Sequence, residues 1–151
     1  MVANYNMSIN TKAILNTDSA YYKSLIYEGN KMWNHVHSAE YILGHNCILN
    51  GSPISGRRAY AKKILRSPVK LPIPVIPQMN IYMVPTSSPK SLKCAWIAYY
   101  HVEGYEQCSE KTYIQFRDGT GIYVDGFEST FHNQMVRAGQ LIAQINRPVH
   151  Y

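Results

Sequence analysis

The sequence predicts an α+β fold: a single β-rich domain over residues 1–151, with antiparallel strands and one C-terminal helix at about 127–146. Three observations lead there. Most of the chain consists of short aromatic and β-branched runs separated by turn residues. One long amphipathic stripe is present, and it comes last. The composition, 46% hydrophobic with a mean hydropathy of −0.27, is that of an ordinary folded chain, and 151 residues suffice for one core.

The elements follow in order. "SAYYKSLIYEGNKMW" reads as two strands joined at Gly29-Asn30, a turn pair. "AEYILGHNCIL" is a further apolar run, broken at Gly44, and is grouped with the strands. "NGSPISG" is loop by composition. "GRRAYAKKILRS" can form a short amphipathic helix. On a helix, Tyr60, Ala61, Ile64 and Leu65 share one arc; Arg58, Lys62, Lys63 and Arg66 share the opposite one, with Arg57 at its edge. Pro68 would end that helix, and a strand pair would carry the same charges. "SPVKLPIPVIP", with prolines at 68, 72, 74 and 77, suits neither a helix nor a central strand and predicts an extended crossing of the surface.

Four strand-like runs come next: "MNIYMVPT", "CAWIAYYHV", "KTYIQF" and "GIYV". Asp118-Gly119-Thr120-Gly121 supplies a hairpin connection between the last two. Glu103, Glu106 and Glu110 read as a solvated loop. "DGFESTFHNQMVRAGQLIAQINRP" is the strongest helix. Asp125 and Glu128 have capping-box spacing, and Phe127, Phe131, Met135, Ala138, Leu141, Ile142 and Ile145 form an apolar stripe that Pro148 closes. Gln134 falls inside that stripe and therefore needs a buried hydrogen-bond partner.

Several chemistries find little support. His35, His37, His45 and Cys47 could supply four zinc ligands, but H-x-H followed by H-x-C is not a standard ligand spacing. Cys94, His101 and Cys108 could be arranged as nucleophile and base. "CAWIAYYHV" reads more simply as a buried strand in which Cys94 is a small apolar residue. Phosphate-cradling glycine loops and clustered acid–base pairs are missing from the sequence. No enzyme activity, metal or other cofactor is expected. The three cysteines form no C-x-x-C pair, no signal peptide is visible, and Leu71–Pro89, the longest uncharged stretch, carries five prolines. A cytoplasmic protein without a membrane segment is the expectation.

The charges are more informative. The net charge is +6, but it is concentrated. Residues 1–40 are neutral overall. Residues 41–102 hold eight Lys and Arg and no Asp or Glu, and the remainder is net negative. Such a run can simply solvate a surface. Its three arginines and the long acid-free window point instead to an anionic partner, with nucleic acid the best match. The candidate DNA-binding residues are Arg57, Arg58, Lys62, Lys63, Arg66, Lys70 and Lys93, with Lys90 extending the patch.

"ISGRRAYAKK", the proline-rich crossing, "YMVPTSSP", "CAWIAYYHV" and "FESTFHNQMVRAGQL" occur in an order and spacing that resemble the ComK competence transcription factors of Firmicutes, from about Ser8 to Asn146. The strongest pieces are Gly56-Arg57-Arg58-Ala59, Cys94-x-Trp96-Ile97 with His101-Val102, and Phe131-x-Asn133-Gln134 with Arg137. The resemblance implies a transcription activator of DNA-uptake genes that binds paired AT-rich boxes through the minor groove. It implies double-stranded DNA as partner, assembly as a homodimer or higher homo-oligomer, contact with RNA polymerase, and a nucleoid location. Longer members of that family continue past the position of Tyr151 with a tail that adaptor and protease systems recognise, so the resemblance is to a short member. A rival expectation is a protein-interaction module that pairs with a full-length relative, its tyrosine-rich strands forming the interface.

Overall fold

A computed structural model gives the structure and describes residues 3–148. It has two antiparallel sheets and three helices, the last of them C-terminal, in one α+β arrangement. The strands are β1 (Thr11–Asn16), β2 (Ser24–Glu28), β3 (Lys31–His35), β4 (Ile73–Ile76), β5 (Ile81–Pro85), β6 (Ala95–Ala98), β7 (Val102–Cys108), β8 (Lys111–Phe116) and β9 (Gly121–Asp125). The helices are α1 (Ala39–Leu49), α2 (Ile54–Leu65) and α3 (Glu128–Ile145). The larger sheet has the order β3-β2-β1-β6-β5-β4, and the smaller one is β7-β8-β9.

The period-2 alternation of strands places the core on both faces of the larger sheet. Ile14, Met83 and Trp96 point to one side, where they pack with Ile42, Leu43 and Cys47 of α1. Their chain neighbours Ala13, Val84 and Ile97 point to the other, against Ile114 and Phe116 of β8 and Phe131 of α3. Trp96 is fully buried at the centre, and replacing such a residue by alanine costs about 3–5 kcal/mol. A third, smaller cluster of Ala61, Leu71 and Leu141 joins α2 to α3.

Five sequence expectations are corrected here. The run "AEYILGHNCIL" is helix α1. Ser38 caps it by accepting from the Tyr41 N–H at 3.1 Å, and Ala39, Ile42, Leu43, Asn46 and Cys47 are its buried face. That spacing is helical; Gly44 within the turn lowers propensity without breaking the helix. The proline-rich segment does not cross the surface. Leu71–Ile76 is buried, and β4 is an edge strand, where Pro74 need not donate to a neighbour. Glu103 and Glu106 lie on β7 rather than in a loop, paired with β8 through Glu106↔Tyr113.

The capping box at Asp125 and Glu128 does not form. The helix starts after Phe127, and the Glu128 N–H donates instead to Oε1 of Gln107 on β7 at 2.7 Å. Phe127 and Tyr60, both placed on apolar arcs, are exposed. The rest of each arc behaves as read: Ala61 is buried, and Phe131, Ala138, Leu141 and Ile142 line the core side of α3.

Candidate nucleic-acid interface

The basic stretch "GRRAYAKKILRS" is helical as far as Leu65. In α2, Ala61 is buried and Ile64 and Leu65 pack half-buried against Leu71, Leu141 and Ile145. That contact fixes which face is left to solvent. Arg58, Lys62 and Arg66 follow at four-residue steps, one above another on successive turns. Lys62 and Lys63 sit in the last turn, where cations oppose the negative end of the helix dipole. Arg66 ends the helix in a left-handed conformation, φ 54°.

The seven predicted residues divide into two groups. Lys62, Lys63, Arg66, Lys70 and Lys93 are exposed, as is Lys90. The two arginines that head the motif are engaged with α1. Arg57 donates from Nη2 to the carbonyl of Asn50 at 3.1 Å, fastening the end of α1 to α2. Arg58 grips Glu40 through both terminal nitrogens, Nη2 to Oε1 at 2.6 Å and Nη1 to Oε2. This bond raises the guanidinium pKa above its ordinary value. Glu40 is the last acid before the acid-free window, so the window does not shield Arg58 from neutralisation.

Arg58, Lys70 and Lys90 come together in one open groove of about 930 Å³. Its walls are the Pro68–Leu71 segment that leaves α2 and the Ser88–Lys90 segment of the β5–β6 loop. Lys93 lies further along the same loop and does not line the groove. The loop is held in consecutive turns by Ser91 N–H to Ser88 O, 2.9 Å, and Cys94 N–H to Ser91 O, 3.1 Å.

The helix α3 anchors the other wall. Gln134 is buried and donates Nε2 to the carbonyls of Lys70, 2.8 Å, and Pro85, 2.9 Å. Arg137 donates to Lys70 O at 3.1 Å and to Val69 O at 2.9 Å. The buried partner expected for Gln134 is therefore the backbone of the basic segment itself. Arg137 does not itself line the groove. Lys70, like Arg66, adopts a left-handed backbone, φ 51°.

The other candidates are placed elsewhere. His35 on β3 and His37 just after it have ring centroids 5.1 Å apart. Cys47 faces the core, where burial pushes its thiol pKa up, and His45 meets Asn6. Among the described residues, no group of three or more His, Cys, Asp or Glu is positioned to hold a metal. Cys94 is buried with its thiol pKa raised by that burial, His101 donates Nε2 to the Ile9 carbonyl at 2.6 Å, and Cys108 is exposed at the end of β7. No described helix is long and apolar enough to cross a membrane.

No solved structure matches this chain. A curated relative, the competence transcription factor of Bacillus subtilis (strain 168), is 29% identical over 101 residues, covering 66% of this chain and 53% of the relative. The chain thus spans about half the length of the curated relative it matches. The ComK protein family matches residues 2–149, nearly the whole chain, and with the α2 basic motif, the buried Trp96 strand and the Gln134–Arg137 anchor all in place, the chain belongs to that family.

Proposed function

We propose that this protein is a DNA-binding activator of competence genes that engages paired AT-rich boxes through the minor groove, as a homodimer or higher homo-oligomer. The observation that carries the reading is the basic groove. Cations from α2, the segment after it and the β5–β6 loop gather on one face, though Lys70 and Lys90 are far apart in sequence. The name of the Bacillus subtilis relative supports transcription control of competence. The narrow minor groove of A-tracts attracts arginine, and Arg66 is the exposed arginine of the patch. The lysines contact phosphates and fix register. Minor-groove reading separates A·T from G·C and little more, so two boxes read by two copies supply further specificity.

The test is a mobility shift with a duplex carrying two A/T tracts. The Lys70→Ala/Lys90→Ala variant, which removes the two lysines of the groove, should bind about tenfold more weakly or worse at moderate salt, as each lost phosphate contact removes a counterion-release contribution. Unchanged affinity would remove the groove from the account.

A second reading has its own observation. On the outward face of the smaller sheet, the rings of Tyr113 and Tyr123 meet across β8 and β9, tilted by 51° with centroids 4.9 Å apart, and Tyr123 is 57% exposed. Exposed aromatics suit a protein interface. A protein that shifts no DNA yet co-elutes with a full-length relative would favour pairing with that relative as the function.

A further inference from the structure

Arg58 is the motif arginine that lines the groove, yet its charge is taken up by Glu40. An ion pair between two helices is commonly structural. Three features set this pair apart. It lies in the wall of the basic groove, with Lys70 and Lys90 lining the same space. Glu40 is the only carboxylate among the residues lining that groove. Both side chains remain part-open, with 30% of Arg58 and 43% of Glu40 exposed, so an incoming anion can reach them.

A carboxylate and a phosphate offer arginine the same fork. Each accepts two parallel N–H bonds, and the phosphate carries its charge on a polymer that the neighbouring lysines also attract. An anion entering the groove therefore competes directly with Glu40 for the two terminal nitrogens of Arg58. It also meets the repulsion of Glu40 if that carboxylate stays in place.

We propose that the Glu40–Arg58 pair gates the basic groove: a DNA phosphate takes Arg58 from Glu40, and breaking the pair is a built-in cost of binding. This rests on the DNA reading above. The pair holds the groove arginine in register on α2 while lowering affinity for weak or isolated anions. Only a ligand that occupies Lys70 and Lys90 at the same time offsets the exchange. Glu40 is thus a regulatory residue of the site rather than a contact to DNA.

The experiment is a double-mutant cycle read by fluorescence anisotropy with a labelled duplex carrying two A/T tracts. Glu40→Gln keeps the shape of the side chain and can still accept one bond from Arg58, so the α1–α2 contact survives; Glu40→Ala is run in parallel, and circular dichroism checks the fold of each. Glu40→Gln alone should tighten binding severalfold. The informative quantity is the loss caused by Arg58→Ala in two backgrounds. If binding breaks the pair, that loss is larger with Gln at position 40 than with Glu, by roughly two- to fivefold, the usual worth of a part-exposed ion pair. Glu40→Ala, which keeps no acceptor for Arg58, should give a coupling at least as large. Equal losses in both backgrounds, or weaker binding by Glu40→Gln, would overturn the gate while leaving DNA binding intact. No binding by the unmutated protein to an AT-rich or a G·C-rich duplex would overturn the DNA reading, and the gate with it.

Discussion

Arg66 and Lys70 stand where glycine would be easier. Both have positive φ, 54° and 51°, and a side chain in that region costs about 1–2 kcal/mol. Lysine and arginine gain nothing locally to offset it, since both side chains are exposed. Lys70→Gly should be at least as stable as Lys70→Ala, by about 1 kcal/mol in urea melts, because only glycine relieves the left-handed backbone. Both variants should lose DNA affinity equally. A glycine variant that keeps full affinity would show Lys70 to be incidental. His35 makes a different residue-scale prediction. Its Nδ1 accepts from the His37 N–H at 3.1 Å and its Nε2 donates to the Ala3 carbonyl at 3.3 Å, so the folded ring is neutral. Burial lowers its pKa, the Ala3 bond partly opposing and the nearby His37 adding to the shift. The unfolded chain then binds the proton first. Stability should be full above the ordinary value of 6.5 and decline as pH falls below it, until the lower folded pKa is passed. Thermal melts between pH 7.5 and 5 should show this decline, and His35→Asn should flatten it. Neither feature was legible in the sequence. Nor was the buried Lys12, which reaches Asp118 at 2.9 Å and Thr120 at 2.7 Å from far along the chain. Backbone φ and long-range partners leave no local pattern to read.

At the scale of elements, α3 is the part that the sequence described best, because eighteen residues of one amphipathic period outweigh any local ambiguity. Helix α1 shows the converse. Its eleven residues carry a valid helical spacing, but the solvent face holds Tyr41, Ile48 and Leu49, so hydrophobicity alone hides the stripe. Strand β7 was missed because its glutamates face outward on an edge strand and read as loop. The basic helix α2 was legible as an arc of charge. That Arg57 and Arg58 turn back onto α1 was not, since Asn50 and Glu40 become their partners only when the two helices dock. The anchoring role of α3 yields the element-scale prediction. Gln134→Leu should keep the charge of the groove and leave the buried Pro85 carbonyl without this donor, while Arg137 still holds the Lys70 carbonyl, costing about 1–3 kcal/mol of stability through the unsatisfied group. It should also weaken DNA binding severalfold, as the Val69–Lys70 segment keeps Arg137 but loses the second of its two anchors on α3. A variant that is destabilised but binds as before would show that α3 supports the fold and not the site.

Across the whole molecule, charge and architecture divide in the same way. The basic segments are α2, the chain leading to β4 and the β5–β6 loop. The smaller sheet and its turns carry Glu103, Glu106, Glu110, Asp118 and Asp125 against Lys111 and Arg117. In the DNA reading proposed above, such a distribution would orient the protein before contact, drawing its basic segments rather than the β7–β8–β9 sheet toward an anionic polymer. The core on both faces of the six-stranded sheet fixes β4, β5 and β6, whose flanking segments wall the groove, so in the DNA reading proposed above phosphates would meet positioned cations. The most direct measurement is a salt titration of binding to a duplex with two A/T tracts, against a G·C-rich duplex of equal length. The account predicts tight binding to the first, weak binding to the second, and a log–log salt slope of about −4 or steeper, as several cations displace counterions. Equal affinity for both duplexes would contradict it, because a basic surface alone neutralises phosphates without regard to sequence.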